Sequence, residues 1–359
     1  RIGGIKWNSK IAVPEDILGG DEYPNLMLYV KSASYANGNV FHNVISNGVA
    51  ANITLKDVPE NGCFYAIDRF RAQNISYSRI CTMETLLSGV SPGWETLALP
   101  FQVQTVTHET NGECAPFGNN SNENAKNFWL NVIGWNEFFQ STTYPYHYHQ
   151  YIISMPNNVE YSDEYILSGN VTFSASNSTV YTTNTLESWS PTYDSWSNYE
   201  SGSIDRHDCT RLDSVVIYSN YEYLDPSPER STINLYETYD GHNPGSVFVP
   251  GVYGCKPFEV YIEYVKQPNQ APRRGPVIGI GDGTTGIKSI PMKYADNDVS
   301  SRDGKLYIYS KVEKDMPLYN VMGQKVKTVH LVEGENVVDV LPTGTYIVKG
   351  KKFLINYKR

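Results

Sequence analysis

Apolar and polar positions alternate along most of this chain, and the alternation has the period of a β-strand. In Ala51, Asn52, Ile53, Thr54, Leu55, Lys56 and Asp57, the residues Ile53 and Leu55 point one way and Thr54 and Lys56 the other, the mark of a half-buried strand. The aromatic stretch 64–78 continues the pattern. Leu97, Leu99 and Phe101 then share a face, and Pro100, which has no N–H to donate, places that strand at a sheet edge or ends it there. Further strands are predicted at 103–107, 128–133, 144–155, 171–175, 215–218 and 246–250. The strongest pattern is 258–265, with Phe258, Val260, Ile262 and Tyr264 on one face and Glu259 and Glu263 turned toward water. Long runs of Ala, Leu, Glu and Lys are absent, so few helices are expected.

After residue 289 the rhythm shortens. Strands predicted at 306–309, 317–322, 326–331, 337–340, 345–348 and 353–356 alternate with turns marked by Gly323, Gly334, Gly344 and Gly350. Short strands at this spacing imply a small immunoglobulin-like β-sandwich. Upstream, residues 267–289 hold Pro268, Pro272, Pro276, Gly281, Gly283 and Gly286, which reads as a linker. The chain is therefore expected to be all-β. Residues 1–266 form a large β-sandwich region, either one body or two packed sandwiches dividing near 160. A linker spans 267–289, and a small sandwich spans 290–359. No solenoid repeat is present.

Composition sharpens the compartment. Charged residues make up only 19% of the chain, below the usual quarter, and 28 Tyr stand out beside abundant Asn, Ser and Thr. Residues 290–359 carry 12 Lys/Arg against 8 Asp/Glu, leaving 17 against 30 for residues 1–289. An acidic main body argues against nucleic acid and anionic lipid as partners. No apolar stretch approaches the length of a membrane span. Arg1, Ile2, Gly3 and Gly4 read as a trimmed or mature start. The five cysteines, Cys63, Cys81, Cys114, Cys209 and Cys255, show no CxxC spacing. Buried thiols and one or two disulfides both stay open.

Two stretches carry resemblances. The run from Leu318 through Tyr319, Asn320, Val321, Met322, Gly323 and Gln324 to Val326, followed by Leu341, Pro342, Thr343, Gly344, Thr345 and Tyr346, resembles the C-terminal sorting domain of the type IX secretion family of Bacteroidetes. Thr284, Thr285, Gly286 and Ile287 resemble its usual lead-in. The resemblance covers about a fifth of the chain. It implies export machinery as a partner, and a secreted or outer-surface, extracytoplasmic location. Upstream, the segments at 55–57, 75–79, 94–101, 171–175 and 256–261 resemble an uncharacterised β-rich module of surface proteins from the same bacteria. Ala98 stands there in place of a more usual Cys or Val. That module implies no activity.

Candidate chemistry is sparse. His147 and His149 are two apart, so on a strand they would share a face and could hold a metal if His207, Asp208 or His242 joined them; ordinary polar-face histidines are the simpler reading. Asp205, Arg206, His207 and Asp208 offer an acid, a base and a cation, or merely a hydrogen-bonded loop. No GxSxG elbow, P-loop lysine or cysteine-protease signature appears. Trp189, Tyr193, Trp196 and Tyr199, set among Ser, Pro and Asn in the polar stretch 182–207, are the candidate ligand-binding residues. They would form a sugar-stacking platform or protein-contact site unless they fold back into the core. No cofactor is implied. The expectation is a non-catalytic surface or secreted protein acting by adhesion or ligand binding, to a glycan or to a host or cell-surface protein. The alternative is a carbohydrate-binding module or a secreted glycan-acting hydrolase.

Overall fold

The computed structural model describes residues 2–16, 22–81, 93–117, 125–133, 139–141, 145, 147–157, 166–183, 209–212, 215–236, 239–264, 274–280, 299–302, 305–310, 312–338, 341–348 and 351–355. The fold is all-β. Among the described residues a single 3-10 turn, Ala33–Tyr35, is the one helical element, and no helix is long and apolar enough to cross a membrane. The chain divides into two compact units. The first holds residues 1–158 and 164–290, the second 291–359 with 159–163.

Among the described residues the first unit holds two sheets. The larger contains β1 (Gly4–Trp7), β2 (Met27–Val30), β3 (Val44–Ser46), β4 (Val49–Lys56), β5 (Phe70–Cys81), β6 (Glu95–Leu97), β7 (Thr105–His108), β8 (Gly112–Pro116), β9 (Lys126–Ile133), β10 (Phe139–Ser141), β11 (Tyr151–Ser154) and β12 (Gly169–Val180). Its order is β1-β2-β3-β4-β5-β12-β7-β8-β9-β11-β6, with β10 paired on β9. The smaller contains β13 (Cys209–Leu212), β14 (Val215–Ser219), β15 (Arg230–Ile233), β16 (Val247–Pro250), β17 (Val260–Tyr264) and β18 (Ile278–Gly279), in the order β13-β14-β17-β15-β16-β18. The larger sheet is mixed: β1/β2, β2/β3, β4/β5 and β8/β9 run parallel.

Leu55 on β4, Tyr77 on β5, Phe173 on β12, Phe128 on β9 and Leu97 on β6 all belong to one hydrophobic core. β4 and β6 lie far apart in the strand order, so the larger sheet must bend around that core, as wide twisted sheets do. β6 ends the sheet, in keeping with Pro100 just beyond it. Its outer edge is covered by the smaller sheet. Ala98 N donates to Phe258 O (2.8 Å) and Val260 N donates to Thr96 Oγ1 (3.0 Å), which removes an exposed edge. Phe258 also meets Phe64, Tyr77 and Tyr221 at ring-centroid distances of 6.0, 4.8 and 5.9 Å. The core of the larger sheet therefore takes in Tyr221 and Phe258 from the segments beside β14 and β17, while Val216, Tyr218, Cys255 and Tyr261 form a cluster of their own.

Two expectations about the strand predicted at 258–265 change here. The strand predicted at 258–265 begins only at Val260. Phe258 sits in a left-handed turn with φ +67°, which lets its ring leave the strand face and enter the core between the sheets. Glu259 is buried instead of solvated: its carboxylate accepts from Lys256 N (2.7 Å) and lies 3.8 Å from Lys256 Nζ. The Pro- and Gly-rich stretch also contributes to the first unit. Gly275 N donates to Pro228 O (2.8 Å), Ser231 Oγ donates to Pro276 O, and β18 pairs with β16. Proline is tolerated there because β18 is an edge strand.

One local feature of β4, β5 and β12 shapes the outer face. Inward residues alternate along each strand, but the phase slips once where two successive residues both face out. The outward pairs are Ala51 and Asn52 on β4, Gln73 and Asn74 on β5, and Ser176 and Asn177 on β12. The slips are in register, with Asn52 beside Asn74 and Asn74 beside Ser176. Asn177 takes a left-handed φ of +53° to make its slip. An aligned row of such slips bends the sheet locally, as bulges do.

Among the described residues the second unit is a sandwich of seven strands, β19 (Val299–Arg302), β20 (Lys305–Ser310), β21 (Lys314–Asn320), β22 (Lys325–Leu331), β23 (Gly334–Val338), β24 (Gly344–Val348) and β25 (Lys351–Ile355). Its sheets are β19-β20-β23 and β22-β21-β24-β25, closed over Leu306, Ile308, Leu318, Leu331, Val348 and Ile355. The fourth strand pairs with the third and not with the fifth, which distinguishes it from a constant-type immunoglobulin domain. Tyr346, at the sixth strand, donates its hydroxyl back to Pro342 O (2.8 Å). That is the geometry of a tyrosine corner, and it gives the Leu341-to-Tyr346 motif a structural role.

Candidate functional site

The row of phase slips opens a groove on the outer face of the larger sheet, with a cavity volume of about 270 Å³. Its polar walls come from Asn52 and Thr54 on β4, Asn74 and Ser76 on β5, Gln104 and Thr105 at the start of β7, and Ser174 and Ser176 on β12. The strand register sets them in rows. Thr54, Ser76, Ser174 and Thr105 stand side by side on four adjacent strands. Asn52, Asn74 and Ser176 form the next row. Gln104 closes it, donating from its side chain to Ser176 O (3.1 Å) and accepting from Ser176 N (2.9 Å).

Internal hydrogen bonds hold part of this surface rigid. Thr105 Oγ1 and Ser174 Oγ lie 2.7 Å apart, and Asn74 Nδ2 donates to Asn52 Oδ1 (3.1 Å). Ser78 and Thr172, just beyond the groove, pair at 2.8 Å. Among the described residues the groove walls hold amides, hydroxyls and the apolar Ile53, Ile75 and Ala175, and no charged side chain. A hydroxyl without a neighbouring base is a poor nucleophile, and glycoside hydrolysis needs two carboxylates. This arrangement is suited to binding a neutral partner.

A second polar group is buried between the sheets. Arg79 is 3% exposed; its guanidinium donates to Thr96 O (3.0 Å) and lies 3.9 Å from Glu95 Oε1. Burial opposes the charge on Arg79, but neighbouring groups hold it well above its ordinary range. Tyr77 stays protonated, because burial raises its own pKa, so at neutral pH the stabilising charges are Glu95 and Asp57. Burial likewise raises Glu259, against the pull of Lys256. Asp57, Tyr77, Arg79, Glu95, Lys256 and Glu259, from four of the five segments of the upstream resemblance, thus act on one another at one place.

The sequence candidates fare differently. Trp189, Tyr193, Trp196 and Tyr199 lie outside the described residues, as do Asp205, Arg206, His207 and Asp208. His147 and His149 do not share a strand face. They precede β11 in a turn where Tyr148 has φ +59°, and each stacks on an aromatic ring, His147 on Tyr181 (5.1 Å) and His149 on Tyr151 (6.4 Å). Among the described residues no three His, Cys, Asp or Glu side chains gather at metal-binding spacing. Cys81, Cys114 and Cys255 are buried free thiols, and burial pushes Cys114 up to about 11.

Burial lowers His149 to about 4, with a smaller push from His147. The folded state therefore favours the neutral ring. That contribution is fully present above the unfolded pKa near 6.5 and is lost as pH falls toward 4, a change of roughly 3 kcal/mol. Burial raises Glu259, whose contribution runs the opposite way, falling as pH rises. Urea titrations at pH 7 and pH 4.5 on the parent and on His149→Gln separate the two. The parent is expected to lose more stability on acidification than the variant, and equal losses would exclude the His149 ring as the source.

The groove escaped the sequence reading because its residues come from segments about 20 to 120 positions apart. The available signal was the interrupted alternation at 51–52, 73–74 and 176–177. No protein-family model, curated protein or solved structure matches this chain.

Proposed function

We propose that this chain is an extracytoplasmic, non-catalytic binding protein of a bacterial surface or secretion system. Its first unit takes an uncharged polar ligand on the outer face of the larger sheet, borne by a glycan or by a host or cell-surface protein. The observation that carries this reading is the groove lined by eight amide and hydroxyl side chains with no charge among them. The absence of carboxylates from those walls disfavours the glycan-hydrolase alternative at this place. The second unit serves as the export or attachment module. The support is its resemblance to the type IX sorting domain and its small closed sandwich, in which the motif residues Leu341 and Tyr346 are buried.

Binding of the full chain to neutral and anionic glycans and to cell-surface proteins tests the first part. The double variant Thr54→Val/Ser76→Ala removes two hydroxyls without adding bulk to the groove. It is expected to weaken binding about tenfold, roughly the worth of one to two hydrogen bonds, with an unchanged melting temperature. Affinity should hardly change between low and high salt, because a neutral ligand has no charge to screen. Binding confined to anionic ligands, or indifferent to the double variant, overturns the reading. Deleting residues 291–359 is expected to leave the protein inside the producing cell; continued release would remove the export role.

A further inference from the structure

We infer that the ligand of this groove is a neutral saccharide, read through two adjacent ring hydroxyls by the paired amides of Asn52 and Asn74. The inference rests on the neutral-ligand reading above and narrows it to a chemical class.

The orientation of both amides follows from their neighbours. Asn74 Nδ2 lies 3.4 Å from Ala51 O and 3.1 Å from Asn52 Oδ1. A backbone carbonyl can only accept, so Asn74 must turn its NH₂ toward it. That NH₂ in turn requires Asn52 to present its oxygen. The outcome is that Asn74 Oδ1 and Asn52 Nδ2 make no hydrogen bond with any described residue, and both are on exposed side chains at the groove. The pair offers one acceptor and one donor side by side, held by the register of β4 and β5.

A vicinal diol supplies the matching donor and acceptor on adjacent carbons. Around the pair, Thr54, Ser76 and Ser176 add hydroxyls that give or accept as required. A sulfated or uronic sugar would bring a charge to walls that hold no cation to meet it. A peptide presents an amide that could also match one donor and one acceptor. It cannot add here as a strand, however, because β5 and β12 are interior strands paired on both sides. The cavity of about 270 Å³ lies at the small end of ligand sites, which suits a ring and part of its neighbour. No aromatic ring is among the lining residues, so stacking adds nothing and a single ring should bind weakly, with Kd on the order of 1 mM.

The test uses the full chain with ¹⁵N-labelled asparagine and follows the side-chain amide signals during titration. The probes are methyl mannoside, methyl galactoside and methyl glucoside, their 2- and 3-deoxy analogues, and N-acetylglycine amide. At least one intact glycoside is expected to shift the Asn52 and Asn74 amides, and loss of one hydroxyl of the bound diol should weaken binding at least tenfold. Asn52→Asp is the decisive variant. It keeps the oxygen that Asn74 needs and the shape of the side chain, replaces the outward donor by an acceptor and adds one negative charge. It should lose at least tenfold in affinity, while Thr107→Ala, on the same face outside the groove, should bind as the parent does. Equal binding by Asn52→Asp overturns the diol reading and leaves the neutral-ligand reading standing. Binding of the glycine amide alone overturns the saccharide class. Failure of every probe to move any groove signal overturns the underlying reading as well.

Discussion

Phe258→Ala is expected to cost about 3–5 kcal/mol of stability in the first unit and to lower its melting temperature by roughly 10 °C. The ring is completely buried. It touches Phe64 and Tyr77 from the larger-sheet side and Tyr221 from the segment that follows β14, so its removal leaves a cavity where the two sheets meet. Alanine retains the left-handed backbone, and the loss therefore reports packing. Because Phe258 and Tyr221 enter the core of the larger sheet from segments beside β17 and β14, the sheets are expected to lose structure together. Alkylation of Cys114 in the larger sheet and of Cys255 beside the smaller one gives local reports, since both thiols are buried. In the variant both are expected to react faster by a similar factor. A loss below about 1 kcal/mol, or exposure of Cys255 long before Cys114, would show that Phe258 does not join the sheets.

Arg79→Met should be comparably damaging, at about 3–5 kcal/mol. Methionine fills much of the same space, but the guanidinium leaves behind Glu95 at 14% side-chain exposure, and Thr96 O loses its donor. Removing one member of a buried ion pair is costly because the other charge stays buried without compensation. Removing both is cheaper. Arg79→Met/Glu95→Gln is thus expected to regain a substantial part of the loss, measured by urea unfolding at neutral pH. If the double variant is no more stable than Arg79→Met, the cost lies in the shape of the site and not in the orphaned carboxylate.

How much of this was legible before the structure differs from element to element. The alternation at 51–57 put Ile53 and Leu55 on one face, and both are buried; the strand predicted at 171–175 lies within β12. Period-two patterning is a local signal, fixed by the pleat of a single strand. The strands of the second unit were readable for the same reason, helped by Gly323 and Gly334, whose positive φ values of +77° and +104° their turns require. Pro100 pointed to an edge or to the end of the strand, and β6 both stops at Leu97 and ends the sheet. Pairing was not readable, because which strands adjoin is decided by distant segments: β5 lies between β4 and β12, and nothing near residue 75 announces residue 175. Phe258 looked like the first inward residue of a strand, since its left-handed φ leaves no mark in an apolar pattern. His147 and His149 were spaced for a shared face, but the spacing argument assumes extended backbone, and Tyr148 breaks it. The groove was the least accessible of all. Each slip seen alone is merely two outward residues in a row, one of them Ala51; only their alignment across three strands makes a concavity.

That alignment also constrains how the protein can change over time. A one-residue insertion or deletion in β4, β5 or β12 would invert every side chain beyond it, and the neighbouring strands would no longer bend at the same level. Length changes in these three segments should therefore be purged or arrive together, whereas loops at their ends stay free to vary. Single substitutions at positions 52, 54, 74, 76, 174 and 176 carry no such penalty, because their side chains face outward or are only partly covered. The same rigidity that freezes the backbone leaves ligand preference open to drift by point mutation, so descendants of one ancestor could diverge in what they bind while keeping an almost identical chain trace.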